Sequence, residues 1–148
     1  MKLGNSENLL QKKQLELDGL LEITRAINQN LADEDLYKVL GFILLGQLGV
    51  KSLSVFSYEK NWVEKNSFGN NQTVLTQNVM TFFNRIKTSG VLTKKSDLLF
   101  PGFNYIIPIH SDEKNHGIIL LGGVKLNDPD LKKKVMFIET LGKIVFSV

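Results

Sequence analysis

The 148-residue sequence has no cysteine, three prolines, one tryptophan and two histidines, and it lacks a long apolar run. Without a thiol there can be no disulfide framework, thiolate nucleophile, iron–sulfur cluster or thiol-linked chromophore. The longest apolar stretch, Val39 to Leu45, is far short of the roughly 20 residues a bilayer-crossing helix needs. Met1 to Glu7 carries no apolar segment of the secretory type, and Lys2 stands where myristoylation requires glycine. No membrane association is expected, and the cytoplasm is the expected location. Charge of one sign is scarce too: 18 basic residues face 15 acidic ones, for a net +3. Basic residues cluster only at Lys12-Lys13, Lys94-Lys95 and Lys132-Lys133-Lys134. None of these clusters interleaves with aromatics as a base-stacking surface would, so no nucleic-acid partner is expected.

What is present is the composition of an ordinary globular domain, 43% hydrophobic and 22% charged. Residues 1–8 are polar and are expected to be a flexible terminus, with one domain spanning 9–148. From Leu9 to Asn30, Leu10, Leu17, Leu20, Thr24, Ile27 and Leu31 keep a seven-residue rhythm. They predict an amphipathic helix with one edge on a core and the other on a partner helix. Lys13 interrupts that seam, and Gly19 marks a close approach or a slight bend.

Asp33 is placed to cap a second helix carrying Leu36, Leu40, Ile43, Leu44 and Leu48, with Gly49 as its stop. Val39, Phe42 and Leu45 make its other faces apolar, so it should be covered on more than one side. Ser52 to Tyr58 and Trp62 to Phe68 predict strands joined by a tight turn at Glu59-Lys60-Asn61.

Leu75, Val79, Phe82, Phe83 and Ile86 return to helical spacing, capped by Thr73 or Thr76 and stopped by Gly90. Val91 to Phe100 fits either a short strand or a loop. Phe103 to His110 predicts a strand whose Pro108 belongs at an edge, an end or a bulge. In Gly117 to Lys125 the run Ile118-Ile119-Leu120-Leu121 predicts a strand buried on both faces, with a bulge or close backbone contact at Gly122-Gly123. Asp128-Pro129-Asp130 reads as the start of a last helix lined by Leu131, Val135, Ile138, Gly142 and Val145. That helix reaches Val148 without a stop signal, as though truncated. The order predicts an α+β domain with a mainly antiparallel sheet of five or six strands.

The opening Leu20-Leu21-Glu22-Ile23-Thr24-Arg25-Ala26-Ile27, followed by Asp35-Leu36-Tyr37-Lys38-Val39-Leu40, resembles the start of a GAF domain. Leu53-Ser54-Val55-Phe56 is similar to that family's first strand. Ile107-Pro108-Ile109 and Gly117-Ile118-Ile119-Leu120-Leu121-Gly122 resemble its paired late strands, and Phe137-Ile138-Glu139-Thr140-Leu141 its closing helix. The resemblance covers about residues 14–148. It implies a GAF-like fold, with the N- and C-terminal helices packed on one face of the sheet and a shorter helix plus loops on the other. It also implies a bacterial sensory or regulatory domain, not an enzyme, that dimerises through its terminal helices and acts on an output domain. The opening is further similar to the N-terminal domains of bacterial serine phosphatases that regulate sigma factors.

In such a domain the pocket lies between the sheet and the middle segment. Its expected lining here is Phe56, Tyr58, Trp62, Phe68, Phe82, Phe83, Arg85, Phe103 and Tyr105, with a small molecule or partner as the signal. The expected homodimer seam is Leu10, Leu17, Leu20, Thr24 and Ile27. The alternative is a ligand-free structural dimerisation module with its pocket filled by Phe82, Phe83 and neighbouring aromatics. The missing cysteine excludes a bilin-attaching photoreceptor and a cysteine-dependent methionine-sulfoxide reductase. No Asn-Lys-Phe-Asp-Glu arrangement supports cyclic-nucleotide binding. No cofactor is expected. His110, Asp112, Glu113 and His116 are metal-ligand types, but they fall in a polar turn and no metal site is assigned to them.

Overall fold

The computed structural model describes residues 2–29, 33–69, 73–92, 99–111 and 114–146. Helices α1 (Lys2–Asn28) and α2 (Asp33–Leu48) open the chain. Strands β1 (Ser52–Tyr58) and β2 (Trp62–Phe68), helix α3 (Gln77–Arg85) and the two-residue strand β3 (Gly90–Val91) follow. Strands β4 (Tyr105–Ser111) and β5 (Lys114–Gly122) and helix α4 (Leu131–Phe146) come last among the described residues. One five-stranded sheet has the order β2-β1-β5-β4-β3, and each neighbouring pair is antiparallel. The expected α+β architecture is therefore present.

Side chains alternate across a strand, so one strand can serve two cores. In β5, Ile119 and Leu121 enter a core with Ile23, Leu40, Leu44, Ile138 and Leu141 from α1, α2 and α4. Ile118 and Leu120 enter a second core, with Phe56, Val79, Phe83 and Phe100, on the opposite side. The terminal helices thus share one face and α3 covers the other.

Local chemistry explains most boundaries. The β1–β2 turn holds Lys60 at a φ of 88°, and Asn61 Oδ1 accepts the Trp62 amide. Gly49 takes a φ of 58° at the end of α2, where its amide donates to the Leu45 carbonyl. Thr76 caps α3, its hydroxyl accepting the Val79 amide at 3.2 Å. Gly19 packs 3.3 Å (from the position a Cβ would take) from Ile43 of α2 and 3.5 Å from Phe137 of α4, the close approach its small size permits.

Other boundaries differ from the expectation in part. Helix α1 begins at Lys2, ahead of Leu9, and α3 ends at Arg85 because Ile86 is already extended. The regular helix α4 starts at Leu131, and Asp128 caps the turn that leads into it, as expected: its Oδ1 accepts the Asp130 amide at 2.8 Å, its carbonyl accepts the Leu131 amide at 3.2 Å, and its Oδ2 pairs with Lys134 at 2.6 Å. The Phe42 face of α2 is not covered, for Phe42 is 75% exposed. Gly122-Gly123 ends β5 without a bulge, but the close backbone contact expected there is present: Gly123 turns the chain at a φ of 79°, and a Cβ on it would lie 3.3 Å from the Lys51 backbone nitrogen. Pro108 stands as expected, in β4 past the two residues paired with β3 and one residue before a register shift. Residues 93–98 of the ambiguous stretch, and Leu31 of the heptad rhythm, lie outside the described residues.

Helix α4 rests on β4 through Gly142, where an added Cβ would collide with the Ile109 side chain. Gly142→Val should destabilise the fold by about 1–3 kcal/mol. Urea unfolding should show that loss, and Ile109→Ala in the same chain should recover part of it.

Candidate functional site

The α3 side of the sheet gathers the aromatic residues. Phe56 comes from β1, Trp62 from β2, Phe82 and Phe83 from α3, and Phe100 and Phe103 from the loop before β4. Phe83 is central: its ring lies 5.1 Å from Phe56, 5.3 Å from Trp62 and 5.6 Å from Phe100, nearly parallel to the last. Phe82 meets Phe100 edge-on at 5.3 Å, and Tyr58 meets Trp62 in the same way. Such pairs contribute about 0.5–1.5 kcal/mol each beyond area burial. Phe56, Phe83 and Phe100 are fully buried, so the rings occupy the space between sheet and helix.

Two amides hold the arrangement. The Trp62 indole N–H donates to Asn84 Oδ1 at 2.9 Å, joining β2 to α3. The Asn115 side-chain amide donates to the carbonyls of Phe83 at 2.6 Å and Ile86 at 2.7 Å. Carbonyls at a helix C-terminus have no partner within the helix, and Asn115 supplies one from β5.

Phe56, Tyr58, Trp62, Phe82, Phe83 and Phe103 of the expected lining come together here. Phe68, Arg85 and Tyr105 do not. The register of β2 against β1 shifts at Lys65, which places Phe56 opposite Glu64 but Val55 opposite Asn66. The extra residue reverses facing, so Phe68 pairs with Leu53 on the other side of the sheet, beside Phe42 and Leu45. Arg85 is exposed on the outward face of α3, beside a shallow hollow with Asn78 and Thr81. Tyr105 belongs to the α4 side because Ile106, its neighbour in β4, faces α3.

Asn115, inside the polar turn of the sequence, carried no signal of its role. A shift at His116, which pairs Ile109 with Gly117 but His110 with Asn115, puts it in place. Asp112 and Glu113 of the histidine constellation lie outside the described residues. Among the described residues no group of three or more metal-ligating side chains occurs.

The heptad seam divides. Leu20 and Ile27 are half-buried against the helical core, behind Ile23 and Ala26. Leu10 and Leu17 are 68% and 54% exposed, Leu21 is exposed with them, and exposed Thr24 gives its hydroxyl hydrogen to the Leu20 carbonyl. Among the described residues no helix is long and apolar enough to cross a membrane.

This architecture, a five-stranded antiparallel sheet with the terminal helices on one side and an aromatic layer under a short helix on the other, is the fold of GAF domains. A GAF domain assigned to a sensor histidine kinase of Pseudomonas syringae pv. tomato superposes with a TM-score of 0.64 at 12% identity, over 99% of this chain and 90% of that one. The GAF domain of the Acinetobacter phosphoenolpyruvate-protein phosphotransferase gives 0.63 at 14% identity, over 88% and 92%. The A. aeolicus nlh2 GAF domain, in an inactive state, gives 0.62 at 18% identity, over 92% and 98%. No protein-family profile matches the sequence, and no curated protein matches it.

Burial first, and the nearby Glu139 carboxylate second, push the Tyr105 phenol above its usual 10.0. The fold therefore favours the protonated phenol, and its stabilisation is complete below pH 10.0 and lost as pH rises through the raised value. Tyr105→Phe should remove a tyrosinate absorbance step lying above pH 10.0 and make stability fall less steeply in that range. An unchanged absorbance titration would contradict this environment.

Proposed function

We propose that this chain is a non-enzymatic regulatory module of bacterial cytoplasmic signal transduction. It dimerises through α1 and passes a signal between its core and its terminal helices. The observation that carries the reading is the exposed stripe Leu10, Leu17 and Leu21 on a helix whose opposite side, Ile23 and Ala26, is built into the core. Helix α1 spans 27 residues, about 40 Å at 1.5 Å per residue. Among its described side chains only those from Leu20 onward join the hydrophobic core. A second copy of α1 is the complementary surface for a seven-residue leucine rhythm. Each leucine moved from water into such a seam contributes about 1.5–3 kcal/mol.

The fold supports the regulatory part, for similar domains come from a sensor histidine kinase and a methyl-accepting chemotaxis protein. The same fold also occurs in fRMsr of Staphylococcus aureus, solved with its substrate, so the fold by itself does not exclude catalysis. Here the non-enzymatic reading rests on the absent thiol and on the packing of phenylalanines where a substrate would sit under α3. The narrower setting, ahead of an output domain such as a sigma-factor-regulating serine phosphatase, follows the resemblance of the opening helices.

The second reading, a ligand-free dimerisation module, is favoured on the α3 side by the Phe83–Phe100 stack. A ligand between sheet and α3 would have to displace those rings.

Size-exclusion chromatography with light scattering tests the dimer. The wild-type chain should run at twice its 16.7 kDa mass. The triple variant Leu10→Glu, Leu17→Glu, Leu21→Glu should run as a folded monomer with a near-native far-ultraviolet spectrum. A wild-type monomer, or a triple variant that remains dimeric, would refute the role of α1.

A further inference from the structure

On the side of the sheet away from the aromatic layer, an open cleft of about 640 Å³ lies between β4, the first turns of α4 and residues 87–89. This is within the usual size range of small-molecule sites, roughly 300–1,000 Å³. Its wall on α4 is a single helical stripe: Lys132, Val135, Met136 and Glu139 recur at three- and four-residue spacing.

Three groups in the cleft lack their natural complements. Glu139 is half-buried and accepts the Ser89 hydroxyl at 3.2 Å, yet among the described residues no basic side chain is within ion-pair distance of it. His110 Nδ1 is buried without a hydrogen-bond partner. Lys132 is exposed and forms no ion pair among the described residues, whereas the remaining charged groups of the lining, Lys87 and Asp128, have partners of their own. An anion and a cation thus stand seven residues apart on one helix face, about 10 Å along the axis. Between them lies the apolar surface of Val135 and Met136.

We propose that this cleft binds a small zwitterion whose ammonium and carboxylate are separated by a short aliphatic spacer. The ammonium sits on Glu139 and the Ser89 hydroxyl, the spacer lies along Val135 and Met136, and the carboxylate meets Lys132. An α-amino acid holds its charges too close together to reach both ends. A ligand lacking either charge leaves one end of the stripe uncompensated. The site is independent of the dimer reading, because binding to it is measured without any output. Its position on α4 would nevertheless let occupancy bear on a terminal helix.

Isothermal titration of the full chain with 6-aminohexanoate, hexanoate, hexylamine and glycine tests the assignment. 6-Aminohexanoate should bind saturably with a dissociation constant near or below about 1 mM, and each of the other probes should bind at least about tenfold more weakly. Glu139→Gln should weaken 6-aminohexanoate and hexylamine while leaving hexanoate unchanged. Lys132→Gln, at an exposed position, should weaken 6-aminohexanoate and hexanoate while leaving hexylamine unchanged. Circular dichroism of both variants distinguishes lost binding from lost folding. Absence of saturable binding by 6-aminohexanoate, glycine binding as tightly, or variants that affect all probes alike would overturn the proposal.

Discussion

Everything in this molecule is organised around the double burial of β5. Ile118, Ile119, Leu120 and Leu121 are each fully shielded from water, and they alternate between two cores to which the strand's neighbours also contribute on both faces, β1 through Val55 and Phe56 and β4 through Ile106 and Ile107. A strand buried on both faces needs a continuous apolar run and a neighbour on each edge, which β1 and β4 provide. A polar substitution at any of these positions leaves one core with an unpaired group, a cost of about 1–3 kcal/mol before packing is counted. The three-helix layer and the aromatic layer therefore depend on the same few residues while remaining physically separate.

The two layers are built differently. Helix α4 sinks Val135, Ile138, Leu141, Gly142 and Val145 into the helical core, and α1 and α2 close around it. Helix α3 spans nine residues and buries Val79 and Phe83. Its attachment relies on one phenylalanine surrounded by rings and on two amide side chains, Asn84 and Asn115. Polar contacts of this kind are directional, so they fix where α3 sits more than they add to its stability. The leucine stripe of α1 and the cleft on α4 both belong to the three-helix layer, opposite the side where aromatic packing closes the sheet.

Much of this was legible in the sequence because it is written locally. The stop at Gly49, the turn at Glu59-Lys60-Asn61, the cap at Thr76 and the run through Leu121 each follow from a few adjacent residues. The errors came from register. The shift at Lys65 sends Phe68 to the opposite face from Trp62, and no side chain nearby announces it. The shift at His116 turns Asn115 toward α3, where its value depends on carbonyls 29 and 32 residues away. A heptad rhythm likewise fits a core edge as well as a partner seam. Only the folded chain separates Leu20 and Ile27 from Leu10 and Leu17.

The doubly buried β5, flanked by β1 and β4, joins a firm helical layer to a more lightly held α3. Native-state hydrogen exchange measures this directly, since opening free energies range from near zero up to the global value. Amides of β5 should exchange only through global unfolding, while those of α3 should exchange through a smaller opening that leaves α4 protected. Exchange of α3 and β5 in the same global event, with the same free energy and the same denaturant dependence, would contradict this arrangement.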